Sequence, residues 1–355
     1  MRIGLLVYDG LDNTTGGFLY DRKVVEYLRD QGHTVEVIAI PWEDYRTHLR
    51  DNLGAALSER LGSLSVDVLL EDELCHPSLI GPNRRLDGRV PIVSIVHHLR
   101  SSEPGSKWRK VVHELVERLY LNTVDGFIYN SETTRQTVET RIGQTNGIVA
   151  PPAGDRLDVQ LDPPAVRDRA HETGPLRLVF VGTITPRKGL DTLVRGLARL
   201  PDGTVTLEVI GDPSADRAYV DRITRLIETQ SLGSVVTLHG RLSDEAVATV
   251  LADSHLLAVP STYEGYGIVY LEGMAFGLPA LATTAGGASE IVTDGETGML
   301  VPPADPDAIA TAIRPLIDDR DRLADMSVAA LERYRAHHSW ADTGARIETF
   351  LRSMA

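Results

Sequence analysis

Two carboxylates, Glu264 and Glu272, stand eight positions apart in the stretch PSTYEGYGIVYLEGMAFGLPALATTAGGASE (260–290). Gly265 and Gly267 follow the first, ahead of an apolar run, Ile268 to Phe276, that reads as a helix. Glycine lets backbone approach a ligand closely because no Cβ intervenes. A helix start offers free N–H groups and a positive dipole end, which suits a diphosphate. Eight residues is about two helical turns, so a Glu at the mouth and a Glu inside the helix share a face. The first would reach sugar hydroxyls and the second ribose hydroxyls. An acidic helix start explains two Glu residues taken alone. The two glycines and the flanking text favour the ligand.

Such a site needs a frame, and the composition sets its limits. At 355 residues the chain suits two domains. With 42% hydrophobic and 24% charged residues it is ordinary globular material. A net charge of −14 argues against a nucleic-acid partner. Cys75 is the lone cysteine, so no disulfide framework or thiolate-rich metal site is expected, and a reducing cytoplasm fits. The apolar run in MRIGLLVYDG is too short for a signal peptide or a membrane span. Lysine is scarce, with Lys23, Lys107, Lys110 and Lys188 alone, so each carries more information than usual.

Strand-like runs alternate with helix-like patterns, the mark of parallel α/β architecture. Strands are expected at 2–8, 34–40, 66–70, 91–96, 126–129 and 147–150, with helices at 20–31 and 111–120. Pro151, Pro152, Pro163, Pro164 and Pro175 read as a connector rather than a core element. The pattern restarts with strands at 176–181, 205–210, 235–238, 256–259 and 280–282 and with helices at 189–199, 219–230, 245–252, 306–317 and 320–337. Two Rossmann-like domains facing each other across a cleft is the expected fold, with ligands at the carboxyl ends of the strands.

The text VGTITPRKGL (181–190), LEVIGD (207–212), LHGRL (238–242), EGYGIVYLE (264–272), GLPALAT (277–283) and GETGMLVPP (295–303) resembles a family 4 retaining glycosyltransferase with the two-domain GT-B fold. The resemblance spans most of the chain and is strongest from Leu176 to Pro303. It implies an acceptor-side domain of residues 1–150 plus 338–355, onto which the last helix crosses back, and a nucleotide-binding domain of residues 151–337. The implied reaction moves a hexose-type sugar from a nucleoside diphosphate sugar, UDP- or GDP-linked, to an acceptor hydroxyl, retaining anomeric configuration without a metal or other cofactor. An epimerase or phosphorylase on the same frame, or a non-catalytic sugar-nucleotide module, are the competing readings.

The resemblance implies roles residue by residue. Glu264 matches the first Glu of the E-x7-E motif, with Gly265, Tyr266, Gly267 and Ile268 presenting backbone N–H groups, and Glu272 matches the ribose ligand. Lys188 and Arg187 would neutralise the leaving diphosphate. The Arg common in the family after the strand-end glycine is Thr183 here; either Arg187 supplies that charge, or one cation and backbone amides hold the diphosphate. Gly16 and Gly17, in the loop after the first strand, would sit under the diphosphate; a tight turn is the alternative. The G-x-G-x-x-G of a dinucleotide site is missing there. His97, at the end of PIVSIVHHLR, would contact the donor sugar. Arg241 lies where backbone contacts the base. Asp72 and Glu73, in a polar knot with His76 at a strand end, would bind acceptor or cap the next helix, and His98 is a further acceptor candidate. The His113-Glu114-Leu-Val-Glu117 text falls short of a zinc signature because it ends in Glu. The acceptor itself, whether sugar, small molecule or lipid-linked, is not specified.

Residues 99–120 carry Arg100, Lys107, Trp108, Arg109 and Lys110, then an apolar pattern through Tyr120. Such a helix docks on anionic lipid or packs against its own sheet. The acidic balance of the chain favours packing. Docking would place the protein at the inner face of a membrane.

Overall fold

Runs of three to seven residues become the strands of two all-parallel sheets in a computed structural model, which describes residues 1–11, 16–103, 105–157, 159 and 161–355. The chain divides into two compact units, residues 1–152 with 338–355, and residues 153–337.

In the first unit the strands are β1 (Arg2–Tyr8), β2 (Thr34–Ile40), β3 (Val68–Asp72), β4 (Ile92–Val96), β5 (Gly126–Tyr129) and β6 (Gly147–Val149). Their order is β2-β1-β3-β4-β5-β6. The central strands β1, β3 and β4 are buried almost throughout, as in RIGLLVY, where every residue after Arg2 is buried. Residues 338–355 complete this unit. The helix Trp340–Met354 packs on the helix Gly16–Asp30, where a Cβ on Gly344 would run into the Tyr27 ring. A Cβ on Gly126 would lie 3.0 Å from Cζ of Phe350.

In the second unit β7 (Leu176–Val181), β8 (Val205–Ile210), β9 (Val236–Gly240), β10 (Leu256–Ala258), β11 (Ala280–Thr283) and β12 (Gly298–Val301) run in the order β12-β11-β10-β7-β8-β9. Each sheet has one place where successive strands depart in opposite directions: between β1 and β3, and between β7 and β10. Loops leaving such neighbours diverge and open a crevice at the strands' carboxyl ends.

Three expectations are corrected. The proline-rich connector contains a helix, Pro163–Ala170, capped by Asp162, whose side chain accepts from Ala165 N. Proline is welcome there because first-turn N–H groups lack helical partners anyway. The first helix begins at Gly16, so Gly16 and Gly17 form its opening turn rather than the loop before it. The helix Lys107–Leu121 does not pack its apolar stripe on the sheet; Val111, Val112, Leu115 and Leu119 are exposed, and Val116, Tyr120 and Leu121 are buried instead. Strand β12 and the helix His76–Leu86 were not expected from the sequence.

Candidate active site

The crevice between β7 and β10 gathers a cation pair onto one carboxylate. After β7 the chain turns through the short 3-10 segment Pro186–Lys188, closed by Gly189 at φ 72°. A Cβ on Gly189 would strike the Pro260 carbonyl, so the post-β7 and post-β10 loops touch backbone to backbone. Thr262 N donates to the Arg187 carbonyl at 2.7 Å, and an Arg187 guanidinium nitrogen donates to the Tyr263 carbonyl at 3.0 Å. These bonds bring Glu264 Oε1 to 2.5 Å from Lys188 Nζ, 3.3 Å from an Arg187 nitrogen and 2.6 Å from Ser261 Oγ, which donates to it.

Glu264 is buried. Burial alone would raise its carboxyl; the charges of Lys188 and Arg187 and the hydrogen bonds from Lys188 and Ser261 outweigh it and hold the group down to about 2. Burial also pulls the Lys188 ammonium below its usual value, against the pull of Glu264. Lys188 and Glu264 thus form a charged, hydrogen-bonded pair.

Beyond Glu264 the chain passes Gly265 and Tyr266 and enters the helix Ile268–Ala275 through Gly267, at φ 101°. A Cβ there would lie 2.5 Å from the Tyr270 ring, which is fixed by its hydroxyl donating to the Val259 carbonyl at 2.8 Å. Backbone conformation and space both require glycine. Tyr266 is buried, with its hydroxyl 3.2 Å from His337 Nε2, so its side chain belongs to the core and leaves only its backbone for a ligand. Ile268 packs partly buried against the same core.

Glu272 lies on this helix, buried, and its carboxylate is held by a residue sequence reasoning missed. Arg156 donates from Nε to Oε1 at 2.8 Å and from a terminal nitrogen to Oε2 at 3.4 Å, while its other terminal nitrogen pairs with Asp244 at 3.0 Å. Burial raises the Glu272 carboxyl, opposed by Arg156 and, more weakly, by Lys188. The field of Lys188 therefore reaches both carboxylates. Arg241 stands apart at the end of β9, pairing with Asp212 at 3.6 Å.

In the first unit His97 follows β4 and is buried. Its Nε2 lies 3.1 Å from Asp21 Oδ1, its ring meets Tyr20 edge-on at 5.3 Å, and its carbonyl accepts from Asn130 Nδ2 at 2.7 Å. A Cβ on Gly17 would stand 3.3 Å from His97 Cδ2. Gly17 and Asp21 are one helical turn apart, so one face of the helix supplies both the space and the carboxylate. That spacing is legible in GGFLYD. Burial pulls the imidazole down, but Asp21, with Asp72 and Glu73 behind it, raises it to about 9. Gly16 opens the same helix, exposed.

Asp72, at the end of β3, is buried and caps the turn Glu73–Cys75, its Oδ1 accepting from Leu74 N at 2.9 Å. Burial, then the Asp21 charge, push its carboxyl well up. Glu73 is also buried, 3.2 Å from His76 Nδ1. Neither side chain presents a surface for an acceptor; capping is what Asp72 does. His98 turns away from His97 and pairs with Glu103 at 2.9 Å.

Among the described residues two carboxylate–histidine clusters have the donor types for a cation: Asp21, Asp72 and His97, and Glu73, His76 and Glu117. In the second, Glu117 is engaged by Ser101 and Arg141, and His76 by the Glu73 carbonyl and the Tyr45 hydroxyl. In the first, Asp21 pairs with His97 and Asp72 accepts from Leu74 N. His113 lies against the Tyr45 ring at 4.8 Å and takes no part in either.

Comparisons with known proteins bear on the family and the fold. The family profile described as "Glycosyl transferases group 1" matches residues 164–333. A GDP-mannose-dependent alpha-(1-6)-phosphatidylinositol monomannoside mannosyltransferase of Mycolicibacterium smegmatis is 30% identical over 77% of this chain and 73% of its own. A D-inositol 3-phosphate glycosyltransferase of Nocardia farcinica is 32% identical over 72% of this chain and 59% of its own. Among solved structures, sucrose-phosphate synthase of Thermosynechococcus elongatus superposes with a TM-score of 0.83 at 22% identity, covering 99% of this chain and 98% of its own. Anabaena HepE in complex with UDP-glucose gives 0.79 at 20% identity, covering 99% and 100%.

Proposed function

Because the chain belongs to the group 1 glycosyl transferases, enzymes of the GT-B fold, we propose that it transfers a hexose from a UDP- or GDP-linked sugar to an acceptor hydroxyl with retention of configuration and without a metal. The observation that carries this reading is the joint grip of Lys188, Arg187 and Ser261 on Glu264 at the β7–β10 crevice.

When a glycosidic bond to a diphosphate breaks, negative charge gathers on the leaving oxygens. Fixed cations stabilise it most when they need no reorganisation. Lys188 and Arg187 are already anchored, and the N–H groups opening the helix after Gly267 add a positive dipole end. The diphosphate oxygen then accepts the proton of the incoming hydroxyl on the face it has left. Glu264 stays ionised far below neutral pH, so it serves as an acceptor for sugar hydroxyls and not as a proton donor. Glu272 accepts from the ribose hydroxyls. A GDP-mannose user among the relatives and UDP complexes among the structural neighbours support a nucleoside diphosphate donor.

The test is a thermal-shift screen with UDP, GDP, ADP and their sugars, since a ligand that binds the native state alone raises the melting temperature. Transfer from the selected donor is then followed by NMR of the product's anomeric proton, with and without EDTA. An inverted anomer or EDTA-sensitive transfer overturns the mechanism; no donor turnover with any acceptor overturns the activity.

A further inference from the structure

The helix Lys107–Leu121 carries two apolar stripes, and the fold uses one. Val116, Tyr120 and Leu121 are buried in the first unit. Trp108, Val111, Val112, Leu115 and Leu119 form the other, at spacings of three and four residues, and all are exposed, Trp108 at 61% and Val111 at 64%. Of the large apolar side chains exposed among the described residues, only Trp42, Leu53 and Leu238 stand elsewhere. Scattered exposed apolar residues need no explanation; a continuous stripe on one helix does.

The charges beside the stripe identify what covers it. The first turn holds Lys107, Arg109 and Lys110 and no acidic residue. Cations at a helix N-terminus oppose its dipole, so the helix does not gain from them internally. Two of the chain's four lysines are spent here, in a protein of net charge −14. Arg118 follows in the last turn, on an edge that also holds Glu114, and Arg109 lies 5.5 Å from the Trp108 ring centroid. We infer that this helix lies flat on an anionic phospholipid surface, its apolar stripe among the acyl chains and its basic flank among the phosphates. Trp favours that depth because its ring is apolar and its N–H polar, and Lys and Arg stems reach outward from it. At about 22 Å the helix is too short to span a bilayer, and no helix among the described residues is long and apolar enough to cross one. The overall negative charge does not forbid docking, since charges more than about 10 Å away are screened at 0.1 M salt. This inference stands apart from the proposed reaction and holds whatever the donor is.

The test is co-sedimentation of the full chain with vesicles of phosphatidylcholine, with and without phosphatidylglycerol. Binding to the anionic vesicles is expected, weakened about tenfold or more in pure phosphatidylcholine and in 0.5 M salt. Trp108→Ser with Leu115→Ser, and separately Lys107→Glu with Lys110→Glu, abolish it while the melting temperature and any transfer to a water-soluble acceptor stay unchanged. No sedimentation of the unaltered protein with anionic vesicles overturns the inference. So does equal sedimentation of the folded variants, or a light-scattering mass showing a dimer that Trp108→Ser with Leu115→Ser converts to a monomer.

Discussion

Asp21 Oδ1 and His97 Nε2 lie 3.1 Å apart with both side chains buried, and the carboxylate fixes the ring edge-on to Tyr20. His97 is consequently an imidazolium at neutral pH. Its raised value means that the pair stabilises the first unit fully below the unfolded histidine value of about 6.5. That stabilisation is lost as pH rises through about 9. The melting temperature is expected to fall over this range. Asp21→Asn removes the slope and lowers kcat about tenfold or more, with a pH profile shifted toward the ordinary histidine value. An unchanged profile would show that His97 acts without Asp21.

Gly17 tests the same ring from another side. In Gly17→Ala the new methyl presses on His97 Cδ2, whose neighbours leave it little room. Alanine favours the helix by up to about 1 kcal/mol, so stability holds while activity drops. Kinetics and a thermal melt on one sample separate the two effects; a matching loss of both would mean the helix had been damaged instead.

Lys188→Met leaves Glu264 buried with Arg187 as its remaining cation. Activity is expected to fall by about a thousandfold, the scale of losing a charge that faces the transition state. The depressed Glu264 carboxyl stabilises the second unit above the unfolded value of about 4.3 and ceases to do so as pH falls through about 2. Replacing Lys188 raises that value, so acid unfolding begins at higher pH. A pH series followed by circular dichroism reads the shift.

Arg156 sets the angle and charge of the Glu272 carboxylate through two hydrogen bonds, each oxygen keeping a lone pair for a ribose hydroxyl. Arg156→Ala raises the donor KM by about tenfold, or 1.4 kcal/mol, with a smaller effect on kcat. Because burial then favours the protonated acid, raising the pH restores part of the affinity. A lower KM in the variant would instead make Arg156 a competitor of the nucleotide.

Much of the frame was readable because strands buried on both faces announce themselves: RIGLLVY and LRLVFV begin and end in the structure where their apolar runs do. Lys188 and Glu264 were legible as a pair only through the resemblance, since 76 residues separate them. Arg156 left no local signal at all; nothing in PPAGDR says that its guanidinium meets a helix more than a hundred residues on. The helix Lys107–Leu121 shows the limit of periodicity. With apolar residues on two adjacent stripes, spacing cannot tell which faces the sheet. Short, proline-marked Pro163–Ala170 was missed because Pro163 and Pro164 signal a break and a helix start equally well.

The first unit is discontinuous in the chain, and this orders its biogenesis. Gly126 lies against Phe350, and Tyr27 against Gly344, so residues 1–152 lack part of their packing until 338–355 have been translated. The second unit, made in between, has all its strands before that helix exists. During synthesis the later unit is therefore the first able to finish folding, and the apolar seat awaiting the helix Trp340–Met354 stays open throughout, a natural contact for a chaperone.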